Sequence, residues 1–295
     1  MTTITTRAAA GPRDPETARA RRAPRRGPGV WTYAALAAVL LGSFFPIYWS
    51  LIVASHDESA VSQVPPALLP GGHLLENVGE VFDTAVFGRA LLNSFIVSGT
   101  VTVSVVFFST LAGFAFAKLR FRGREALLAA AVATTVVPHQ LGVIPLYILM
   151  GELGWTGRLE AVIVPGLVTA FGVFFMTQYL SSAIPDELLE AGRVDGCTTL
   201  RLYWHVVLPA ARPAAAVLGL FTFMQAWNDF FWPLVVLTPE DPTVQVALST
   251  LASGYTTDFS LVLTGTVLAT VPILLVFAVL GRQIIGGIMS GAIKG

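Results

Sequence analysis

The sequence predicts an all-α polytopic membrane protein with six transmembrane helices, on three observations. Of 295 residues, 54% are hydrophobic and only 12% are charged. With a mean hydropathy of +0.71, that is too little charge for a water-soluble domain of this size. Apolar runs recur six times at the length needed to cross hydrocarbon, about 20 residues for roughly 30 Å. Basic residues are segregated into alternate connecting loops, as the positive-inside rule requires of a multi-pass chain.

Residues 1–28, rich in arginine, alanine and proline, read as a basic disordered tail. They do not read as a secretory signal. The apolar run that follows is about 24 residues long against the usual 7 to 15, and no small-residue cleavage site comes after Phe44-Phe45-Pro46. The six predicted spans lie near residues 30–53, 91–117, 126–149, 159–180, 210–237 and 260–285. Pro138, His139 and Gln140 interrupt the third, and Pro165 sits in the fourth. Such breaks are tolerated only where neighbouring helices satisfy the freed backbone groups.

Net charge is zero, 18 basic against 18 acidic residues, but the distribution is uneven. Seven arginines (Arg7, Arg13, Arg19, Arg21, Arg22, Arg25, Arg26) precede the first span, and Lys118, Arg120, Arg122 and Arg124 follow the second. Arg193, Arg201 and Arg212 flank the loop between the fourth and fifth, and Arg282 and Lys294 close the chain. Only Arg89 and Arg158 remain for the other side, so sixteen of the 18 basic residues mark one face. Both termini and the 181–209 loop are therefore expected in the cytoplasm, and the 238–259 loop, which has no Lys or Arg, outside. The basic tail is a topology determinant on this reading, not a nucleic-acid arm.

Several chemistries are excluded. No Gly-x-x-x-x-Gly-Lys-Ser/Thr loop is present, so the chain is not expected to hydrolyse ATP itself, and energy must come from a partner or an ion gradient. His-Glu-x-x-His and Gly-x-Ser-x-Gly are absent, and His56, His73, His139 and His205 are scattered. The single Cys197 excludes an internal disulfide and a cysteine-based metal site.

Two polar stretches stand out. The first is Glu190-Ala191-Gly192-Arg193-Val194-Asp195-Gly196-Cys197, followed by Leu208-Pro209. Pro185, Asp186 and Glu187 suit the first turn of a helix, the proline because its missing N–H is not needed there and the acids because they face the positive dipole end. Gly196 suits a left-handed stop. Thr198 can cap a second short helix whose Leu200, Tyr203, Trp204 and Val207 recur at i, i+3, i+4 and i+7, with Arg201 and His205 off that face. Two helices around a glycine turn make a compact knob, either an interfacial hairpin or a docking element. The second stretch is Trp227-Asn228-Asp229. An acid at membrane depth points to a transport pathway, whereas an acid beside Trp227 and Trp232 in an interfacial belt points to anchoring.

The knob also resembles the coupling loop of carbohydrate-uptake ABC importers at Glu190, Ala191, Asp195, Gly196, Leu208 and Pro209. It departs at Gly192 and Cys197, where that family has alanine; a mid-helix glycine costs roughly 1 kcal/mol of propensity and predicts a looser first helix. Further matching segments are Leu91-Leu92-Asn93-Ser94, Ala112-Gly113-Phe114-Ala115-Phe116-Ala117-Lys118-Leu119-Arg120-Phe121, Pro145-Leu146-Tyr147, Trp227-Asn228-Asp229-Phe230 and Gly291-Ala292-Ile293-Lys294-Gly295. Over about residues 90–295 the chain resembles the second permease subunit of maltose-type, binding-protein-dependent ABC importers.

That resemblance implies a type I permease fold over residues 29–295, with five core helices forming half of a translocation pathway and a coupling loop at 181–209. It implies a bacterial cytoplasmic membrane location among lipid, a second and different permease, two ATPase subunits and an extracytoplasmic sugar-binding protein, with no nucleic acid. No cofactor is expected in this chain, since ATP would be bound by the ATPase subunits. Glu190, Ala191, Gly192, Asp195, Gly196, Leu208 and Pro209 would form the ATPase contact, and Lys294 and Gly295 a tail near the ATPase interface. The rival from another class is a stand-alone, ion-coupled carrier. It would show inverted repeats around a midplane ion site, yet no repeat relates residues 30–150 to 151–285, and only Asp229 could carry a proton.

Overall fold

The structure, a computed structural model, describes residues 29–61, 64–84, 86–253 and 257–292; the side chains of Ala60, Thr84, His139 and residues 282–292 are not described. The 1–28 tail, Lys294 and Gly295 lie outside the described residues. The chain divides into two units, Met1–Pro46 and Ile47–Gly295. In the first, the described residues are the opening turns of helix α1 (Val30–Ala54).

The second unit holds the end of α1 and twelve further α-helices: α2 (Leu74–Thr84), α3 (Phe87–Lys118), α4 (Arg124–Thr134), α5 (Val143–Glu152), α6 (Glu160–Gly166), α7 (Ala170–Ala183), α8 (Asp186–Val194), α9 (Thr199–Leu202), α10 (Leu208–Trp227), α11 (Phe231–Val236), α12 (Val244–Leu251) and α13 (Phe259–Ala292). Every regular element among the described residues is helical. Five stretches are long and apolar enough to cross a membrane: Val30–Ala54, Phe87–Lys118, Glu160–Ala183, Thr199–Trp227 and Phe259–Gly281.

The segment predicted as the third span, 126–149, is not one helix. It is split into α4 and α5, with a 3-10 turn at His139–Gly142 between them. Pro138, extended at φ −60° and ψ 126°, has no N–H and drives Val137 before it out of helical geometry. The hydroxyls of Thr134 and Thr135 donate to the carbonyls of Ala131 and Val132, each at 2.7 Å, and so satisfy groups at the break.

The predicted fourth span is also interrupted, past Pro165, and is likewise repaired. Ser104 of α3 donates to Leu167 O at 2.8 Å, and Thr169 Oγ1 accepts from the Gly172 N–H at 3.1 Å to cap α7. The predicted fifth span, 210–237, is displaced: the long helix begins before residue 210 and stops at Trp227, and α11 is a separate turn.

α3 packs most extensively against α7 and α10. One core joins Val105 and Phe114 of α3 to Met176 and Leu180 of α7, to Val207 just before α10, and to Ala211 and Leu218 of α10. A second, toward the other end of α3, gathers Val81, Phe87, Phe223, Trp227, Val244 and Leu261. There Asn93 Nδ2 donates to Pro242 O at 3.0 Å and Ser94 Oγ accepts from Val244 N at 2.8 Å, fixing the 238–243 loop to α3. Large apolar residues such as Val103 and Val279 face outward, as a helix surface in lipid requires.

Candidate functional site: the 186–209 knob

α8 starts where the sequence places its signals, with Pro185 as N-cap residue and Asp186 and Glu187 in the first turn. It ends in a Schellman turn. The Gly196 N–H donates to Arg193 O at 3.0 Å and the Cys197 N–H to Gly192 O at 2.9 Å, while Gly196 takes φ +78°. Thr198 then caps α9, its hydroxyl accepting from the Arg201 N–H at 3.3 Å.

Beyond α9 the sequence expectation needs correcting. The second helix of the knob is not short; it runs on without a break into α10. A single π-turn at Tyr203–Val207, in which the Leu208 N–H reaches Tyr203 O, makes the join. Pro209 has no N–H for the His205 carbonyl and would press its ring on that group in α geometry; the wider turn gives it room.

The apolar face also differs from the one expected. Tyr203 and Val207 are buried with Leu202, whereas Leu200 and Trp204 are exposed. Gly192 explains Leu202. A Cβ at residue 192 would lie 2.5 Å from Leu202 Cδ2, so the missing side chain lets α9 close onto α8 and does not merely loosen it. Below, Leu189, Ile184 and Leu180 continue into the first core.

Glu190, Ala191, Asp195 and Gly196 are exposed on the knob's outer surface; Gly192 and Leu208 are half-buried, and Pro209 is exposed. Around them lie Leu188, Val194, at 87% exposure, Leu200 and Trp204. The surface is thus a mixed apolar and charged patch, with Glu190 and Asp195 beside the exposed Arg193 and Arg201.

Lys118, which sequence reasoning assigned only to topology, holds the knob at its root. Its side chain is 7% exposed and its Nζ lies 2.7 Å from Asp186 Oδ1, donating also to Ser181 O at 3.2 Å. This hydrogen bond, the Lys118 charge and the charges of Arg120 and Arg193 hold the Asp186 carboxyl below its ordinary value. Nothing in the sequence separates Lys118 from its basic neighbours.

Trp227, Asn228 and Asp229 lie at the other end of α10, about 30 Å away at 1.5 Å per residue. Trp227 is buried; its indole N–H donates to Ala269 O of α13 at 3.1 Å, and its ring stacks on Phe223 and meets Phe95 edge-on. Asn228 accepts from Gln245 Nε2 at 3.3 Å. The Asp229 carboxylate faces the backbone N–H groups of Phe231 and Trp232 at the start of α11. Trp232 in turn donates to Ala161 O at 2.9 Å. These contacts tie the end of α10 and the start of α11 to α13, α12 and α6. Among the described residues no group of His, Cys, Asp and Glu is placed to hold a metal ion.

Residues 86–286 match the family of binding-protein-dependent transport system inner membrane components. The chain belongs to this family. It is 32% identical over 271 residues to the lactose transport system permease protein LacG of Rhizobium radiobacter, covering 92% of this chain and 98% of that one. It is 29% identical over 277 residues to the sn-glycerol-3-phosphate transport system permease protein UgpE of Yersinia pestis, covering 90% and 98%. To the arabinooligosaccharides transport system permease protein AraQ of Halalkalibacterium halodurans it is 34% identical over 204 residues, covering 69% and 73%.

The fold also matches a chain in the crystal structure of a bacterial ABC transporter involved in the import of alginate. There the TM-score is 0.74 with 24% identity, over 86% of this chain and 95% of that one. As a multi-pass member of an ABC permease family, the chain is not an ion-coupled secondary carrier.

Proposed function

We propose that this chain forms half of the membrane pathway of an ATP-driven importer for a sugar or related polyol. Its partners on this reading are a second, different permease, two ATPase subunits and an extracytoplasmic binding protein. The relatives support the substrate class through their named substrates, lactose, glycerol phosphate and arabinooligosaccharides. The chain itself binds no ATP and catalyses no reaction. Both termini and the knob face the cytoplasm, and the 238–259 loop faces the binding protein.

One observation carries the coupling mechanism: the second helix of the knob, α9, runs through the Tyr203–Val207 turn into α10 as one unbroken helix. A push on the outer surface at Glu190, Ala191, Asp195 and Gly196 reaches that helix through the hydrogen-bonded Gly196 turn and the close contact of Gly192 with Leu202. It passes through the Tyr203–Val207 turn, seated in the core by Tyr203 and Val207, along α10, whose far end is tied to α13 by the Trp227 hydrogen bond. ATPase closure would thus tilt α10 with the packed α3 and α7, a rigid-body rocking that alternates access.

The test is uptake by proteoliposomes carrying the full complex, with internal ATP and an imposed or collapsed proton gradient. Uptake is expected to follow ATP and ignore the gradient. Uptake that dies with the gradient while ATP persists would overturn the reading.

A further inference from the structure

Three arginines follow Lys118: Arg120, whose charge also reaches Asp186, Arg122 and Arg124. An open pocket of about 540 Å³ lies there, lined by Arg120, Phe121, Gly123, Arg124, Glu125 and Ala126. Lys118 turns away from it, toward Asp186. Arg120 and Arg122 are exposed and make no hydrogen bond or ion pair with the described residues. Arg124 has only a long bond to Leu119 O, 3.5 Å, and a loose pairing with Glu125 at 3.9 Å, so most of its five donors are unused.

The other wall is apolar. Phe121 is 40% exposed, its ring 5.8 Å from that of Phe116. α4, which leaves the pocket, has no buried residue, and Leu127, Val136 and Val137 along and after it are exposed. Guanidinium groups without a close ion pair therefore meet uncovered apolar surface where a membrane span ends. A phosphate on an acyl-chain scaffold matches both halves: guanidinium forks fit phosphate oxygens, and the apolar wall fits a chain.

We propose that this pocket binds the headgroup phosphate of an anionic phospholipid of the cytoplasmic leaflet, held by Arg120 and Arg124 with an acyl chain along Phe121 and α4. The proposal rests on the topology given under the proposed function. A lipid seated there would brace the turn joining α3, and so Lys118 and the knob, to the bilayer surface. The acidic surface of a protein partner would satisfy the arginines but leave the apolar wall bare.

The test uses the purified full complex, incubated with phosphatidylglycerol or phosphatidylcholine of identical chains, with retained lipid counted by native mass spectrometry. Wild type is expected to retain phosphatidylglycerol preferentially, and each of Arg120→Gln and Arg124→Gln to weaken that retention about fivefold. Arg122→Gln removes the same charge outside the pocket and is expected to change retention by less than twofold. Equal loss in all three variants would mean diffuse surface charge and overturn the site.

Two further outcomes overturn it. One is displacement of the lipid by inorganic phosphate alone. The other is unchanged lipid retention in Arg120→Gln with loss of the co-purifying ATPase, which would assign the arginines to a protein contact. Should the glutamine variants fail to insert, Arg120→Lys with Arg124→Lys keeps the topogenic charge and removes the forks. A lowered preference for phosphatidylglycerol is expected there too, and an unchanged one refutes the pocket.

Discussion

Replacing Gly196 isolates the contribution of a single backbone conformation to the docking knob. The residue sits at φ +78°, and a Cβ added there meets no atom within 4 Å, so alanine introduces no clash and its whole cost is conformational. A non-glycine residue in the left-handed region costs roughly 1–2 kcal/mol, which is about 5- to 30-fold if expressed as weaker ATPase docking. Asparagine, which tolerates this region, should lose less.

Proline is worse on two counts. It fixes φ near −65°, far from the +78° the turn needs, and it removes the N–H that donates to Arg193 O at 3.0 Å, so it costs more than alanine. The expected order of ATPase co-purification and of ATP-dependent uptake is glycine, asparagine, alanine, proline. Because side-chain volume plays no part, an order following residue size, or wild-type behaviour of Gly196→Pro, would refute the role of this turn.

Other outcomes follow from the same contacts. Gly192→Leu drives side-chain atoms into the site of Leu202, already 2.5 Å from a Cβ there. The overpacking, about 1–3 kcal/mol, exceeds the roughly 1 kcal/mol gained in helix propensity, so thermal unfolding of the solubilised complex should shift downward. Asp186→Lys should uncouple ATP hydrolysis from uptake by setting two cations at the root of the knob, and Asp186→Lys with Lys118→Asp should restore coupling; failure of that rescue would remove the pair from the mechanism.

Because Lys118 holds the Asp186 carboxyl below its ordinary 3.8, the pair's contribution is fully present above that value and is lost only as pH falls below it. Cytoplasmic-side acidification that stays well above 3.8 should leave the contribution of the Lys118–Asp186 pair unchanged, so Asp186→Asn should alter coupling equally across that range. Asp229→Asn keeps an acceptor for the Phe231 and Trp232 amides and should retain most ATP-dependent uptake, whereas Asp229→Leu should lower complex stability; abolition of uptake by the asparagine would indicate a charge-dependent pathway.

Local signals in the knob were legible because each acts within a few residues. The acids of the first turn, the glycine stop at 196 and the threonine cap at 198 stand as read, while Pro185 takes the N-cap position one residue before the first turn. Tertiary effects were not. The periodicity of Leu200, Tyr203, Trp204 and Val207 assumed an isolated α-helix, but packing of Leu202 against Gly192 of α8 buries Leu202 instead of Leu200, and Trp204 lies exposed in a π-turn. Propensity counted Gly192 as a defect because its partner, ten residues on, is invisible to a local scale. The 126–149 segment has enough apolar residues to span, and only the backbone at Pro138 divides it.

The anchoring of Trp227 depends on an α13 carbonyl 42 residues away, and the tie of Lys118 to Asp186 crosses 68 residues. Neither pairing leaves a pattern in a single sequence.

The central claim, that the knob is where an ATPase drives this permease, can be tested through its own chemistry. Cys197 is the only cysteine in the chain, is half-buried, and follows Gly196 in the Schellman turn. A short maleimide-linked photo-crosslinker on Cys197, in the complex held at rest without nucleotide, is predicted to yield a covalent adduct with the ATPase subunit, diminished in Gly196→Pro. A fully labelled Cys197 that gives no ATPase adduct, in a complex still capable of ATP-driven uptake, would contradict it.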